Sequence, residues 1–398
     1  MIPFSEAYEI MMSNVFRTGT EKVPLAESLW SILAEDVISD IDMPPFDKSA
    51  MDGYACRAED LETELEVIET IPAGYKPKKK VIKGKCSKIM TGAMIPEGAD
   101  CIIIVEETQS SDSKKVKFTG DISPFFAENA RRNICFKAED IKRGDLLLNK
   151  GVHIKPQHIA VLATAGYAKV CVAIQPNVGI ITTGSELVEP GKKLTSSKIR
   201  NSNGHQLIAQ VLNAGGIPNY YGIVADEEEL ITQVITQALH ENDIVLISGG
   251  VSMGDYDFVP ACLKKNGIKI LFDKVAIQPG KPVNFGIGNS KACFGMPGNP
   301  VSTFIQFELL VKPFIYAMMG SDFKPEAFLL PLGTAIKRHN ASRESIIPVT
   351  INEGKIYPLE YHGSAHINAI ASSNYVISIP LGVKEIAEGK LIDVRLIQ

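Results

Sequence analysis

The chain has 398 residues, of which 45% are hydrophobic and 22% charged, and its formal net charge is −5. This composition is typical of a globular chain that is too long for one ordinary core, so we expect several domains. The negative net charge argues against a general nucleic-acid binder, whose affinity would come from neutralising phosphates with lysine and arginine. A local basic groove is still compatible with it.

The amino terminus lacks the pattern of a secretory signal, because Glu6 and Glu9 interrupt it and no basic segment precedes an apolar core. No uninterrupted apolar run approaches the roughly 18 residues of a membrane span. The seven cysteines are scattered without a C-x-x-C pair, which is typical of reduced thiols rather than of a zinc site or a disulfide framework. We therefore predict a cytoplasmic protein without a membrane partner.

The first predicted element is a helix with an apolar face used for core packing. The residues at the spacing of one helical face are Phe4, Ala7, Tyr8, Met11, Met12 and Val15. From 42 to about 136, short β-prone runs alternate with glycine and proline, which indicates a small β domain. Seven lysines at 76–88 have no aromatic residues between them, so we interpret them as a solvated hairpin loop rather than a nucleic-acid surface.

Residues 137–170 form a mixed segment that ends in a helical run at 157–166. Strands and helices then alternate, which indicates βαβ units and a largely parallel sheet. The strands are predicted at 178–182, 217–224, 243–248, 268–276 and 292–296. The helices are predicted at 203–213, from Asp226, near 257–265, and from Asn299–Pro300 onward. Residues 322–398 return to short strands and indicate a small all-β module.

Four loops of the α/β segment carry the candidate chemistry, because ligands of open α/β sheets bind beyond the carboxyl ends of the strands. The loops are 182–186, 248–257, 278–282 and 296–302. Gly249, Gly250 and Gly298 let the backbone approach a ligand, and a helix that begins at Asn299 favours an anion such as phosphate. Ser252, Ser302 and Thr303 are further hydroxyl donors. A P-loop sequence is absent, as is a G-x-G-x-x-G fingerprint after the first strand.

Three acids, Glu186, Asp226 and Asp257, follow predicted strand ends. Such a cluster of oxygen ligands beside a phosphate cradle predicts Mg²⁺. For Asp226 an N-cap role is an equal alternative, with Glu229 at capping-box spacing. Lys274 and Lys281 are candidates for holding an anionic substrate, the alternative being ordinary surface lysines. From the residues alone, the chain is an enzyme or binder of a nucleotide-like anion.

Residues 44–55, PPFDKSAMDGYA, resemble the PPFDNSAMDGYA signature of molybdopterin molybdenumtransferases, the MoeA and gephyrin E-domain family. Residues 89–96 (IMTGAMIP) and the ordered loops SGGVSMGDYD, PGKP and MPGNPVS resemble the same family, so the similarity covers essentially the whole chain. The resemblance implies a multidomain α/β fold with a Rossmann-like molybdopterin-binding domain at 171–321. The other implied domains are a mixed N-terminal domain at 1–43 and 137–170, an inserted β-rich domain at 44–136, and a small β-barrel-like domain at 322–398.

The resemblance also implies a reaction, in which molybdate is inserted into adenylylated molybdopterin, AMP leaves and a divalent cation, usually Mg²⁺, assists. It implies a homodimer with the active site between subunits, and the adenylyltransferase of the same pathway as a partner. The implied catalytic residues are Asp52, Thr91, Asp226, Asp257, Lys274 and Lys281, with Glu186 and Asp257 at the metal. Asp140 is implied as a further site residue, and the complete set that we predict to bind substrate is Asp140, Ser202, Asn203, Gly249, Gly250, Ser252, Pro297, Gly298, Asn299 and Ser302.

The chain departs from the family pattern at three positions. Gln278 stands where the family often has lysine, and Cys135 and Ala138 replace the arginine and glycine of the N-x-R-x-x-G-E-D segment before Asp140. Three alternative functions are an adenylyltransferase of the same pathway, a non-catalytic molybdopterin-binding scaffold, and a nucleotide hydrolase. The first would need only the α/β segment, and the second would need a long Pro/Ser-rich linker that the sequence lacks.

Overall fold

The computed structural model describes residues 1–112, 114–127, 130, 132–251, 258–359 and 363–397. Contacts divide the chain into two compact units. Unit 1 comprises Met1–Glu35, Lys150–Pro156 and Lys169–Gln398, and unit 2 comprises Asp36–Asn149 and Gln157–Ala168. The four domain boundaries expected from the sequence stay a prediction.

The first helix of unit 1 is Phe4–Met12, and it buries Ala7 and Met11. The helix ends at Met12, so Val15 of the predicted stripe lies beyond it. The later helices of unit 1 are Asn203–Asn213, Glu228–Glu241, Val259–Lys265 and Pro300–Met318.

The helix Pro300–Met318 combines α-helical Pro300–Gln306, a π-helical turn Phe307–Val311 and α-helical Lys312–Met318. Among the described residues, it alone has the length and hydropathy of a membrane span, and 94% of its apolar stretch is buried inside the protein. Burial of this kind is the property of a core helix.

The central sheet of unit 1 has six strands. In spatial order they are Ile217–Val224, Asn177–Thr183, Ile244–Ser248, Lys291–Met296, Pro282–Gly288 and Lys269–Lys274. The first three pairings are parallel and the last two antiparallel. The expected strand positions agree within two residues, but the strand Pro282–Gly288 was missed, and it makes the sheet mixed at one side.

Alternate side chains of the central strands enter two separate cores. Val178 and Ile180 belong to the core that includes the first and last helices, whereas Ile181 belongs to the core under the helices Glu228–Glu241 and Val259–Lys265. Burial of each of these aliphatic side chains contributes about 1.5–3 kcal/mol to the stability of the fold. Because both faces of the sheet are covered, a ligand is expected to bind at the ends of the strands, where the loops lie.

The carboxyl-terminal part of unit 1 is built of β-strands, as predicted. Its main sheet joins Ile277–Gln278, Glu344–Asn352, Tyr375–Ile379, Leu391–Leu396 and Ala327–Pro331, with Lys355–Pro358 beside Glu344–Asn352. Two-stranded pairs of unit 1 are Thr20–Pro24 with Lys169–Ala173, Leu187–Val188 with Ile199–Arg200, and Ile336–Lys337 with Glu385–Ile386.

Unit 2 contains the segment from 42 to about 136 that was predicted to be rich in β-strands. Its six-stranded sheet has the order Cys101–Ile104, Gly53–Cys56, Lys85–Ile89, Glu64–Ile71, Lys115–Phe118 and Thr108–Asp112. Smaller elements are the pairs Lys48–Ser49 with Ile134–Cys135 and Val37–Ile38 with Leu146–Leu148, and the helix Ser123–Phe126. The helix Pro156–Thr164 corresponds to the run predicted at 157–166.

The lysine-rich segment connects two strands of unit 2 that run parallel. The hairpin interpretation was therefore wrong, because a hairpin requires antiparallel neighbours. Two of its lysines form ion pairs, Lys80 with Glu97 and Lys85 with Glu66, and the carboxylate of Glu69 accepts from the backbone N–H groups of Lys78 and Lys79. All seven cysteines of the chain are free thiols.

Candidate active site

A cleft of about 560 Å³ lies at the carboxyl edge of the central sheet in unit 1. Three parallel strands end at its wall, at Thr183, at Ser248 and just before Pro297. Loops that follow such ends converge, which is why the predicted residues meet here. Nine of them line the cleft: Glu186, Ser202, Asn203, Asp226, Gly249, Gly250, Pro297, Gly298 and Asn299.

A larger cavity of about 930 Å³ lies in the carboxyl-terminal β-strands of unit 1. Its wall is formed mainly by aliphatic side chains such as Leu329, Ile346 and Val376. It contains none of the glycine-rich loops and none of the predicted site residues, so volume alone does not identify the site. The smaller cleft contains the glycine turns and the predicted carboxylates, so it is the candidate active site.

Asp226 brings a carboxylate to the cleft and fixes the neighbouring loop. Its Oδ2 accepts a hydrogen bond from the backbone N–H of Ser185 at 2.8 Å, and its own N–H donates to the Ser185 hydroxyl at 3.4 Å. The following helix begins at Glu228 with Glu227 at the N-cap position and no side-chain cap. The capping alternative for Asp226 was therefore wrong, because its carboxylate is bonded to a loop 41 residues earlier.

Glu186 provides a second carboxylate, which folds back over Gly184. Its two oxygens lie 2.7 and 3.0 Å from the position that a Cβ on Gly184 would occupy. A side chain at 184 would displace the carboxylate, and the φ of +152° at Gly184 also disfavours one. The glycine thus allows Glu186 to reach the same cleft as Asp226.

Asn203 joins three elements beneath the cleft. Its Nδ2 donates to Ser248 Oγ and to the carbonyl of Gly298, both at 2.8 Å, with a longer contact of 3.4 Å to Thr303 Oγ1. The carbonyl of Gly298 can only accept, so the amide orientation is determined. Thr303 and Ser248 also donate to the carbonyl of Pro297. Through these bonds, Asn203, Ser248 and Thr303 fix the carbonyl oxygens of the Pro297–Gly298 turn.

The Pro297–Gly298 turn presents a bare backbone to the cleft. A Cβ added to Gly298 would meet no atom within 4 Å, so the space in front of it is open. Asn299 occupies the N-cap position of the following helix and Pro300 the first turn, as predicted, although the Asn299 side chain makes no capping bond. The helix N-terminus therefore faces a space in which an anion is favoured.

A polar network that the sequence did not reveal supports one wall. Asn201 donates to Thr182 Oγ1 at 3.0 Å and to the Tyr220 hydroxyl at 2.6 Å, and its Oδ1 accepts from the Gly204 N–H at the start of a helix. Tyr220 donates to Glu189 at 2.6 Å. This bond lowers the pKa of Glu189, while burial and then the same bond raise the pKa of Tyr220 to about 12.

The other predicted residues of unit 1 lie outside the cleft lining. Lys274 ends its strand in register with Pro282, which does line the cleft, and Lys281 is exposed next to it. Ser302 is buried in the long helix. Ser252 and Asp257 lie outside the described residues.

In unit 2, Asp52 and Thr91 form an exposed hydrogen-bonded pair. Asp52 Oδ1 accepts from the backbone N–H of Thr91 at 2.6 Å and from its hydroxyl at 2.7 Å. These bonds, the backbone one first, lower the pKa of Asp52. Asp140 is also exposed in this unit, and its N–H donates to the carbonyl of Met43. Ala138 has a φ of +60°, the conformation that glycine favours, which explains the glycine of the family pattern.

Some residues of the cleft lining were absent from the sequence-based prediction, among them Arg200, Asn201 and Ala365. Arg200 ends a two-residue strand that pairs with Leu187–Val188, and such short strands leave no periodic signal. Ala365 comes from the carboxyl-terminal region, where the Ser364 carbonyl accepts from the Val301 N–H at 3.0 Å. Thr183 lay in a predicted loop but was assigned no role.

Comparison with known proteins covers the chain from end to end. The MoeA N-terminal region (domain I and II) matches residues 2–166, the probable molybdopterin binding domain 179–317, and the MoeA C-terminal region (domain IV) 330–397. The molybdopterin molybdenumtransferase of Staphylococcus epidermidis is 37% identical over 99% of this chain and 95% of its own, and that of Bacillus subtilis 35% over 100% and 94%. The chain belongs to the molybdopterin molybdenumtransferase family.

Solved structures agree with this membership. The molybdopterin biosynthesis MoeA protein of Pyrococcus horikoshii OT3 has a TM-score of 0.86 and 34% identity, and the match covers all of both chains. The expected multidomain α/β fold is thereby confirmed. As a molybdopterin molybdenumtransferase family member, the chain is a transferase of molybdenum cofactor biosynthesis.

Proposed function

We propose that this enzyme inserts molybdate into adenylylated molybdopterin and releases AMP at the cleft of unit 1. The observation that carries the proposal is the meeting of Glu186 and Asp226 with the glycine turns at 249–250 and 298 in one cleft. The family's printed name, molybdenumtransferase, supports the transfer of molybdenum. Matches along the whole chain favour it over the adenylyltransferase alternative, which would need only the α/β segment.

The cleft has groups suited to each part of such a substrate. The turn at Gly298 and the helix N-terminus after Asn299 favour a phosphate, and Arg200 adds a cationic side chain to the wall. In the proposed reaction, two Mo–S bonds form as the two thiol protons leave with one molybdate oxygen as water. A water oxygen then bonds to a phosphorus of the phosphoanhydride as its bridging P–O bond breaks, and molybdopterin keeps its own phosphate. The adenylyl phosphate then leaves as AMP. Lys274 and Lys281 stay predictions for attracting molybdate.

The donor set fits Mg²⁺, which takes one or two carboxylates together with substrate oxygens and water. Glu186 and Asp226 are two such carboxylates in the cleft, and Asp257, the other predicted ligand, follows in sequence the Gly249–Gly250 turn. Within the described residues, no group of three His, Cys, Asp or Glu forms a metal site by itself. A bound Mg²⁺ would neutralise charge on the phosphoanhydride.

AMP release measured with adenylylated molybdopterin, with and without molybdate, tests the proposal. We expect release to depend on molybdate and to fall at least about tenfold in Glu186→Gln, as for loss of a group that stabilises charge in the reaction. Glu388→Gln, an exposed glutamate of the carboxyl-terminal region, is the matched control and should behave like the wild type. Release without molybdate would instead indicate a hydrolase, and binding without turnover a scaffold.

We also propose a homodimer in which Asp52 and Thr91 of one protomer act with the cleft of the other, with Asp140 nearby. The exposure of the Asp52–Thr91 pair supports a role outside the core of unit 2. Co-expression of Asp52→Ala and Glu186→Gln chains tests this. If both residues act across the dimer, mixed dimers regain one intact site, and random pairing gives about a quarter of wild-type activity. No recovery refutes the arrangement, and a fully active Asp52→Ala dimer removes Asp52 from the mechanism.

The proposed location is the cytoplasm, with the adenylyltransferase of the pathway as the supplier of substrate. Seven free thiols support a reducing compartment. A pull-down with the purified adenylyltransferase tests for a complex, and a comparison of AMP release from free and from enzyme-delivered substrate tests direct transfer. Equal AMP release from free and enzyme-delivered substrate would count against a physical partner.

A further inference from the structure

Among the described residues, four have a buried side-chain oxygen without a hydrogen-bond partner: Ser87, Thr183, Asn203 and Gln306. Burying a polar group without a partner is costly, so such atoms are uncommon in folded proteins. Two of the four, Thr183 and Asn203, line the cleft. Two of the four unpaired atoms therefore belong to residues of the cleft, where a ligand could supply the missing bond.

Thr183 differs from its neighbour Thr182 in this respect. Both are threonines at the end of the same strand, and both are nearly fully buried, at 4% and 1% exposed. The Thr182 hydroxyl donates to the Gly222 carbonyl at 3.0 Å and accepts from Asn201 at 3.0 Å. Adjacent side chains of a strand point to opposite faces, so Thr183 has no access to those partners and faces the glycine turn instead.

The turn over Thr183 consists of Gly249 and Gly250, with φ angles of +100° and +62°. A Cβ at these positions would lie 2.8 and 3.1 Å from Thr183 Oγ1. Only glycine allows the backbone to lie this close to the hydroxyl. Thr183 and both glycines line the cleft, and glycine at 249 and 250 places no side chain beside the hydroxyl.

We propose that the Thr183 hydroxyl donates a hydrogen bond to an oxygen of a tetrahedral oxyanion bound in the cleft. Such an anion offers only acceptors, and a hydroxyl that lies against two glycines and has no protein partner can donate to it without competition from the protein. Under the proposed function, on which this inference rests, the oxyanion is the adenylyl phosphate or molybdate. Thr183 is then a substrate-binding residue.

Thr183→Val preserves the shape of the side chain and removes the hydroxyl. Because that hydroxyl has no partner in the ligand-free protein, the midpoint of thermal unfolding should rise by roughly 1–3 °C. Binding of AMP or of molybdate, measured separately by calorimetry, should weaken about tenfold to a hundredfold, the worth of a hydrogen bond to a charged group. A purely structural threonine would not give higher stability together with weaker binding.

Three variants complete the experiment. Thr182→Val should lower the unfolding midpoint, because it breaks two bonds. Ser87→Ala removes an unpaired buried hydroxyl in unit 2 and should raise the midpoint without changing the affinity for AMP. Thr183→Ser should restore binding.

Weaker binding of AMP alone assigns the hydroxyl to the phosphate, and weaker binding of molybdate alone assigns it to molybdate. Unchanged affinity of Thr183→Val for both anions overturns the inference. A wild-type enzyme that shows no molybdate-dependent AMP release refutes the proposed function instead, so the two failures are distinguishable.

Discussion

Replacing Asn203 by alanine should loosen the turn that faces the cleft. The substitution removes two good hydrogen bonds of 2.8 Å, to Ser248 and to Gly298, each worth about 1 kcal/mol. The substitution also leaves the Gly298 carbonyl without this donor, which lowers the free energy of unfolding. It removes the unpaired Oδ1 of Asn203 as well, which raises the free energy of unfolding by a similar amount. We therefore expect the free energy of unfolding to fall by about 1–3 kcal/mol.

Urea denaturation followed by tryptophan fluorescence measures this loss, because the single tryptophan, Trp30, belongs to the same unit as the cleft. Asn213→Ala at the exposed other end of the same helix is the control and should change stability by less than about 0.5 kcal/mol. Asn203→Asp places an oxygen against the Gly298 carbonyl and should be more harmful at neutral than at acidic pH, since a protonated carboxyl can donate. If Asn203→Ala is as stable as Asn213→Ala, the anchoring argument fails.

Three further predictions concern single interactions. Asp226→Asn keeps an oxygen for its backbone partner, so folding should be unchanged while the Mg²⁺ concentration for half-maximal AMP release rises at least about tenfold; an unchanged requirement removes Asp226 from the metal site. Tyr220→Phe should raise the pKa of Glu189 toward its ordinary 4.5. The hydrogen bond between Tyr220 and Glu189 stabilises the fold above pH 4.5, and this stabilisation is lost as the pH falls through the lowered pKa of Glu189. The free energies of unfolding of variant and wild type, measured by urea titration, should therefore become equal in acid. Lys312→Met leaves its buried partner Glu308 without a countercharge and should cost about 3–5 kcal/mol of unfolding free energy, most of it regained when Glu308 is also made Met.

The elements of the α/β region were largely predictable from local patterns. The helix Asn203–Asn213 and the strand Ile217–Val224 have the predicted bounds. The helix has apolar residues at helical spacing and is followed by Gly215 and Gly216, which separate it from the strand. The strand Pro282–Gly288 was missed because it begins at a proline and contains two glycines, which are typical of loops. Its pairing with neighbours on both sides overrides those local preferences.

Asp226 shows how a correct local rule gives a wrong structure. An aspartate three residues before a glutamate at a helix start fits a capping box, and the helix indeed begins two residues later. The backbone N–H of Ser185, which comes from a distant loop, is the partner that the carboxylate takes. Since the helix has no side-chain cap at all, the chain forgoes a contribution of about 1 kcal/mol at this end and keeps a carboxylate in the cleft.

The glycines of the cleft are required by local backbone geometry, whereas its polar anchoring residues depend on partners that are distant in the sequence. Gly249 and Gly250 are required by their own φ angles, and a local requirement leaves a local signal. The anchoring role of Asn203 has no such local signal, because its partners lie 45, 95 and 100 residues away and no spacing encodes them. The Thr183 hydroxyl has no partner at all in the ligand-free protein, so neither spacing nor packing marks it. Thr183 can be recognised as a candidate only in the folded structure, which shows which buried oxygens have hydrogen-bond partners. Binding groups of this kind therefore cannot be predicted from the sequence.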